Sequence, residues 1–127
     1  PHAATDVTGF SLMGHACEMA EASEVTLEID AAAVPVMARA REMASLGLIP
    51  AGAYRNRDFF GPRVALDDAL PLDLTDVLFD PQTSGGLLLA LGEKDAERLA
   101  SALRDEGLPA AVIGRAVPRA EKSVIVK

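Results

Sequence analysis

The feature that most constrains the fold is the stretch from Thr5 to His15, which passes from polar residues through glycine into a long apolar run. Beyond residue 7, apolar residues recur at helical spacing and also occupy the other faces of the same helix. The sequence therefore predicts a helix, ending near Ser23, that is buried on most sides. Glycine costs about 1 kcal/mol relative to alanine inside a helix, so Gly9 and Gly14 indicate that backbone or a ligand approaches closely.

Asp6, at the polar start of this stretch, has two possible roles. Its carboxylate, or the hydroxyl of Thr5, can accept hydrogen bonds from the free N–H groups of a helix N-terminus. A carboxylate is also a preferred ligand of Mg²⁺, which proteins often hold jointly with substrate phosphates. Residue spacing alone leaves both roles open.

A second informative stretch runs from Asp80 to Gly86 and has the composition of a turn that binds anions through backbone N–H groups. It lacks the lysine of a P-loop and precedes a strand instead of a helix, so it is a weak phosphate motif. The apolar run Leu87–Leu91 that follows predicts a buried central strand.

The remainder of the chain alternates irregularly between strand and helix patterns. This alternation predicts one α+β domain over residues 1–127, with helices packed on a mixed β-sheet. The predicted strands are Val25–Ile29, Arg63–Leu66, Ala111–Val117 and Ser123–Val126, the last two forming a hairpin. The predicted helices are Pro35–Gly47, Glu93–Glu106 and a short one within Asp67–Asp76. Leu48–Pro62 is predicted to be a structured loop, with room for a short helical turn, whose aromatic side chains are held by the core.

Composition excludes several classes of protein. The net charge is −7 and basic residues are scattered, which argues against a nucleic-acid partner. No apolar run approaches the roughly 20 residues that a membrane span requires. A single cysteine excludes an intrachain disulfide and suits a reducing cytoplasm. The chain begins Pro-His-Ala without methionine, so we expect it to be part of a longer protein.

Three other signals are interpreted as structural. His15 lies within the buried helix without a second metal-binding residue at helical spacing, which favours a core histidine with satisfied hydrogen bonds. Cys17 has no basic neighbour to lower its pKa and is interpreted as a small apolar residue. The acidic residues between Asp67 and Asp76 are interpreted as a solvated face.

The motifs Thr5–Phe10, with Leu12, Gly14 and His15, and Leu78–Leu88 together resemble selenophosphate synthetase, also called selenide, water dikinase. They match the C-terminal half of that family in order and separation. The resemblance therefore covers essentially the whole chain. One departure is Ser11, which stands where the family usually has a glycine. The matching residues are Thr5–Phe10 with Leu12, Gly14 and His15; Leu78–Leu88; Pro50, Gly52 and Asn56; and Ile113–Arg115.

The resemblance implies the C-terminal domain of a two-domain enzyme that converts ATP, selenide and water to selenophosphate, AMP and phosphate with Mg²⁺. It implies a cytoplasmic homodimer and an N-terminal ATP-binding domain that carries the catalytic cysteine or selenocysteine and a lysine. No catalytic residue is expected in this chain, and the isolated fragment is expected to be inactive. By the match, Asp6 corresponds to a metal ligand. The candidate phosphate or active-site loop residues are Thr5, Thr8, Gly9, Asn56, Thr83, Ser84, Gly85 and Gly86.

Two alternatives remain open. The chain could belong to a sibling ATP-dependent enzyme of the same superfamily, which includes aminoimidazole ribonucleotide synthetase and shares this domain arrangement. It could also be a non-catalytic packing or dimerisation module whose motifs serve caps and turns.

Overall fold

A computed structural model describes all 127 residues and shows an α+β fold with two sheets, in agreement with the predicted class. The strands are β1 Ala3–Asp6, β2 Val25–Ile29, β3 Val64–Leu66, β4 Leu87–Ala90, β5 Gly114–Pro118 and β6 Val124–Val126; the helices are α1 Ser11–Ala22, α2 Ala40–Ser45, α3 Ala51–Phe60, α4 Leu72–Leu78 and α5 Glu93–Asp105.

The larger sheet has the strand order β3-β6-β2-β5 and is mixed. β6 pairs in parallel with both β3 and β2, whereas β5 pairs antiparallel with β2, with Ile29 opposite Gly114. The predicted hairpin between the last two strands is therefore wrong, because β2 lies between them. A Cβ at Gly114 would collide with the backbone carbonyl of Glu28, so only glycine permits this close pairing.

Helix α1 packs its apolar surface on the sheet and on α3 and α4. Eight of its twelve residues are buried, which confirms the prediction of a helix covered on most sides. At Gly14, a Cβ would lie 2.7 Å from the ring of Phe60 in α3, so this glycine allows the two helices to approach. The buried cluster comprises Met13, Ala16, Cys17, Ile29, Ala31, Phe60, Val64, Leu74, Leu78, Phe79, Val124 and Val126.

Three predicted elements differ from the structure. The segment Leu48–Pro62 is mainly helix α3, because Pro50 occupies the N-cap position, where a missing N–H costs nothing. Of its aromatic side chains only Phe60 is buried. The helix expected from Pro35 is confined to α2, although Gly47 does follow it with a φ of +75°. The strand expected to be central, β4, pairs only with β1 and leaves Leu87 exposed.

The start of the chain also differs from the prediction. Asp6 ends strand β1 and does not cap α1, whose N-cap residue is Phe10. The chain turns at Ser11, which has a φ of +71° and is completely buried. A glycine would adopt this φ without strain, so the geometry explains a glycine preference at this position. The Ser11 side chain contributes by accepting a hydrogen bond from the Gly14 backbone N–H, at 3.3 Å.

None of the five helices has the length and apolar character needed to cross a membrane.

Candidate active site

The two motif stretches, distant in sequence, form one structural unit. Strands β1 and β4 pair antiparallel with Asp6 opposite Leu87. Beyond the strands, the Val7 N–H donates to the Gly86 carbonyl and the Gly85 N–H donates to the Val7 carbonyl, each at 2.9 Å. We call residues 7–10 the first loop and residues 79–86 the second loop. Continuous backbone pairing therefore holds the two loops side by side.

Both glycines of the second loop are required by its geometry. Gly86 has a φ of +82°, a conformation that other residues adopt only with strain. A Cβ at Gly85 would lie 2.7 Å from the carbonyl oxygen of Val7. The sequence motif Gly85-Gly86 thus reflects one positive φ and one close contact with the first loop.

Asn56 of α3 connects the two loops through hydrogen bonds from its side chain. Its side chain is buried, and its amide Nδ2 donates to the carbonyl of Gly9 at 3.0 Å and to that of Phe79 at 3.1 Å. Both partners are carbonyl oxygens, so the amide nitrogen has to face them. Asn56 therefore positions the loops through their backbone, and both of its N–H donors are already used.

Helix α3 also supports the second loop at two other points. A Cβ at Gly52 would lie 2.8 Å from Pro81, so this glycine allows the loop to rest on the helix. The Arg57 guanidinium donates to Asp76 at 2.7 Å and lies 5.3 Å from the ring centroid of Phe79. Asp76 is buried, contrary to the prediction of a solvated acidic face. Sequence reasoning missed this pair because its members lie on separate helices.

The Asp80 carboxylate makes its hydrogen bond within the second loop. The Gln82 side-chain amide donates to its carboxylate at 2.7 Å, and burial raises the pKa of the Asp80 carboxyl above its ordinary value. Its carboxylate therefore holds the turn.

Several predicted site residues in or next to the two loops are exposed. The Asp6 side chain is exposed and makes no hydrogen bond or ion pair within the chain. Thr83 and Ser84 are also exposed, and their backbone N–H groups donate to no acceptor in the chain. A carboxylate that attracts cations therefore lies at the end of β1, directly before the first loop, and the second loop offers N–H donors for an anion. The Thr5 hydroxyl instead donates to the Asp6 carbonyl, at 3.1 Å.

The donor set fits a partial magnesium site. No group of three or more His, Cys, Asp or Glu side chains lies close enough to hold a metal ion. Mg²⁺ is commonly bound through one or two protein carboxylates, with substrate phosphates and water completing its shell. The free carboxylate of Asp6 fits the role of one such ligand.

Cys17 and His15, the two side chains of α1 that could act as a nucleophile or a base, are buried. Burial raises the pKa of the Cys17 thiol to about 11, which excludes it as a nucleophile near neutral pH. His15 is 8% exposed and both ring nitrogens have partners, as predicted for a satisfied core histidine.

An apolar cavity lies outside the two loops. A space of about 210 Å³ separates α5 from β2, β4 and β5, and 16 of its 19 lining residues are hydrophobic, including Leu99, Leu103 and Val112. Such a lining suits apolar packing and offers few partners for phosphate groups.

Comparison with known proteins identifies the class first. Residues 1–127 match the family described as AIR synthase related protein, C-terminal domain, and the chain belongs to this family. More particularly, it is 48% identical over 124 residues to the selenide, water dikinase of Geobacter metallireducens, covering 98% of the chain and 36% of that protein.

Other relatives show the same pattern. The chain is 46% identical to selenide, water dikinase 2 of Peptoclostridium acidaminophilum and 45% identical to the selenide, water dikinase of Clostridioides difficile, in each case over 96% of the chain and 35% of the relative. The resemblance to the C-terminal domain of selenophosphate synthetase, first drawn from the motifs, is thereby confirmed. The chain spans about a third of the length of these relatives.

Proposed function

We propose that this chain serves as the C-terminal domain of an enzyme that converts ATP, selenide and water to selenophosphate, AMP and phosphate. The observation that carries the proposal is the joining of the two motif stretches into one loop pair with the free carboxylate of Asp6 at its edge. The names and high identity of the relatives support the choice of reaction.

The chain would supply only part of the active site. Its one cysteine is buried with a raised pKa, and Asp6, at the end of β1, supplies the one unpaired carboxylate next to the loops. We infer that an N-terminal domain provides the reactive cysteine or selenocysteine, a lysine and most of the nucleotide contacts. The threefold greater length of the relatives supports such a domain. The isolated chain should therefore release no AMP from ATP. A homodimer and a cytoplasmic location belong to the same proposal.

Each part of the loop pair has a distinct task in this mechanism. Asp6 would hold Mg²⁺, which when bound neutralises charge on the phosphates during transfer. The N–H groups of Thr83 and Ser84 would donate to phosphate oxygens. Asn56 and Gly85 would keep these groups in a constant relative position, because phosphoryl transfer depends mainly on positioning.

The variant Asp6→Ala in the full-length enzyme tests this proposal. AMP release with selenide present should fall roughly 100-fold or more, the scale expected for losing one electrostatic contact at a reacting centre. The free energy of unfolding should change by no more than about 0.5 kcal/mol, because the Asp6 side chain makes no hydrogen bond or ion pair in the chain.

Asp58→Ala is the matched control, since Asp58 is also exposed and unpaired but lies on α3. It should retain normal activity. A folded Asp6→Ala enzyme with normal AMP release would contradict the metal assignment and favour the packing-module alternative. A sibling ATP-dependent activity would appear as AMP or ADP formation that does not depend on selenide.

A further inference from the structure

The apolar cavity beside α5 lies between two strands that each have one unpaired edge. β4 pairs only with β1, and β5 is the last strand of the larger sheet, where it pairs only with β2. Consecutive residues of both segments line the cavity, namely Leu88–Leu91 and Ala110–Ala116. Side chains alternate between the two faces of a strand, so an uninterrupted run of lining residues indicates that the cavity borders the strands at their edges.

The backbone hydrogen bonds of β4 identify the residues on its free edge. The carbonyls of Gly86 and Ala90 accept from the N–H groups of Val7 and His2, on the β1 side. Peptide groups alternate in direction along a strand, so Leu89 and Leu91 present their N–H and carbonyl groups on the opposite side. Neither backbone group of Leu91 makes a hydrogen bond to the rest of the backbone.

The segment that leads into β5 has a free edge of the same kind. The Asp30 N–H donates to the Ile113 carbonyl at 2.8 Å, on the β2 side. By the same alternation, Val112 and Gly114 direct their N–H and carbonyl groups away from β2. The N–H groups of residues 110–113 donate to no acceptor in the chain. Two rows of backbone groups are therefore available for pairing beside one cavity.

The size and lining of the cavity favour an apolar occupant. Its volume of about 210 Å³ exceeds the roughly 150 Å³ of a cavity that accommodates benzene. Leu99 and Leu103 of α5 line it and are only partly buried, and Ala100 is the only buried residue of that helix. Protein interiors are close packed, so an opening lined by these aliphatic side chains is expected to be filled.

We propose that an extended segment of the sequence preceding Pro1 occupies this cavity as a β-strand between β4 and β5. Its backbone pairs with the free edges of both strands, and its apolar side chains on one face pack against α5. The two sheets then form one sheet in which β4 has a neighbour on each side. Such a position suits the uninterrupted apolar sequence Leu87–Leu91.

The relatives support the choice of this occupant. About two thirds of their length lies outside the part that the chain matches, and the matching family is described as a C-terminal domain. A strand of the same polypeptide has a high effective concentration at the cavity, whereas a strand of another molecule must overcome the entropy lost on association. The inference rests on the longer protein of the proposed function, and not on the reaction.

Hydrogen exchange of the full-length protein, resolved by residue with mass spectrometry, tests the pairing. The amides of Leu89, Val112 and Gly114 should exchange at least roughly 100-fold more slowly than in an unfolded chain. The amides of Met37 and Ala38 are the control and should exchange rapidly, because both residues are exposed and their N–H groups donate to no acceptor. Rapid exchange at Val112 would overturn the inference.

Photocrosslinking identifies the occupant. A diazirine analogue of methionine replaces Val112, which lines the cavity and is 46% exposed in the chain. Irradiation of the full-length protein should link position 112 to a peptide that precedes Pro1, and the product should run as a single chain on a denaturing gel. The same analogue at Met37, which is exposed and does not line the cavity, is the control and should not capture this peptide.

Other occupants would overturn the inference in recognisable ways. A second copy of the chain would give a crosslinked product of twice the mass. A small apolar molecule would be released on denaturation and would leave Val112 exchanging rapidly. None of these measurements uses ATP or selenide. An inactive enzyme can therefore contain the inserted strand, and normal Asp6-dependent AMP release would not rescue the inference if the strand is absent.

Discussion

The geometry of Asn56 supports a quantitative prediction. Asn56→Leu removes both N–H donors while keeping the number and branching of the side-chain heavy atoms. Two hydrogen bonds are lost, each contributing about 0.5–1.5 kcal/mol, and the buried bond leaves the Phe79 carbonyl without a partner or access to water. The Gly9 carbonyl is only partly buried and can recover a water molecule. We therefore expect the free energy of unfolding to fall by about 2–4 kcal/mol.

Asn56→Asp sharpens this prediction. The aspartate would place acceptor oxygens against two carbonyl oxygens in a buried position, so it should destabilise the chain at least as much as leucine. Simple loss of packing would predict the opposite order, because aspartate has almost the same shape as asparagine.

Urea denaturation followed by circular dichroism measures both variants. Arg55→Ala is the control, because Arg55 is exposed on the same helix without a partner, and it should change stability by no more than about 0.5 kcal/mol. In the full-length enzyme, Asn56→Leu should also lower AMP release if the loops lose their alignment. An Asn56→Asp chain that unfolds at the wild-type urea concentration would refute this account of the site.

Two further predictions concern conformation and reactivity. Gly86→Ala should lower the free energy of unfolding by about 1–2 kcal/mol, because Gly86 has a φ of +82°. Gly61→Ala is the control and should be nearly neutral, because Gly61 has a φ of −50°. Equal effects of the two substitutions in urea denaturation would show that the backbone of the second loop readjusts. Cys17, with a pKa of about 11, should have roughly a thousandth of its thiol ionised at pH 8 and react with a disulfide reagent only after unfolding; rapid labelling of the native chain would contradict its burial.

The pattern of apolar residues in the local sequence correctly predicted helices α1 and α5 and strand β2. Helix α5 has acids in its first turn and an apolar face, and it begins and ends within a residue of its predicted bounds. Strand β2 begins and ends as predicted. In α1 the apolar residues surround the helix, and the structure covers it on most sides. These predictions succeeded because the helical and strand periods are local properties of the chain, and the positions of the apolar residues along each period indicate which face is buried.

Predictions failed where a residue has a partner that local sequence does not reveal. Pro50 and Gly52 indicated a loop, yet Pro50 is the N-cap residue of α3 and Gly52 makes room for Pro81. The last two strands are close in sequence, but parallel pairing of β6 with β2 and β3 separates them. Asp6 was interpreted partly as a helix cap because the positive φ of Ser11 is not visible in the sequence.

The candidate site divides in the same way. By itself, the sequence determined which residues have suitable chemistry, because the carboxylate of Asp6 and the turn chemistry of Gly85-Gly86 are properties of residue types. Only the tertiary structure decided that their loops lie side by side and that Asn56 joins them. It also placed the His15 ring within hydrogen-bond distance of the Thr8 hydroxyl, at 3.0 Å. The pairing of the two loops and their connection by Asn56 depend on hydrogen bonds between segments far apart in the chain, and such bonds form only when the core brings those segments together.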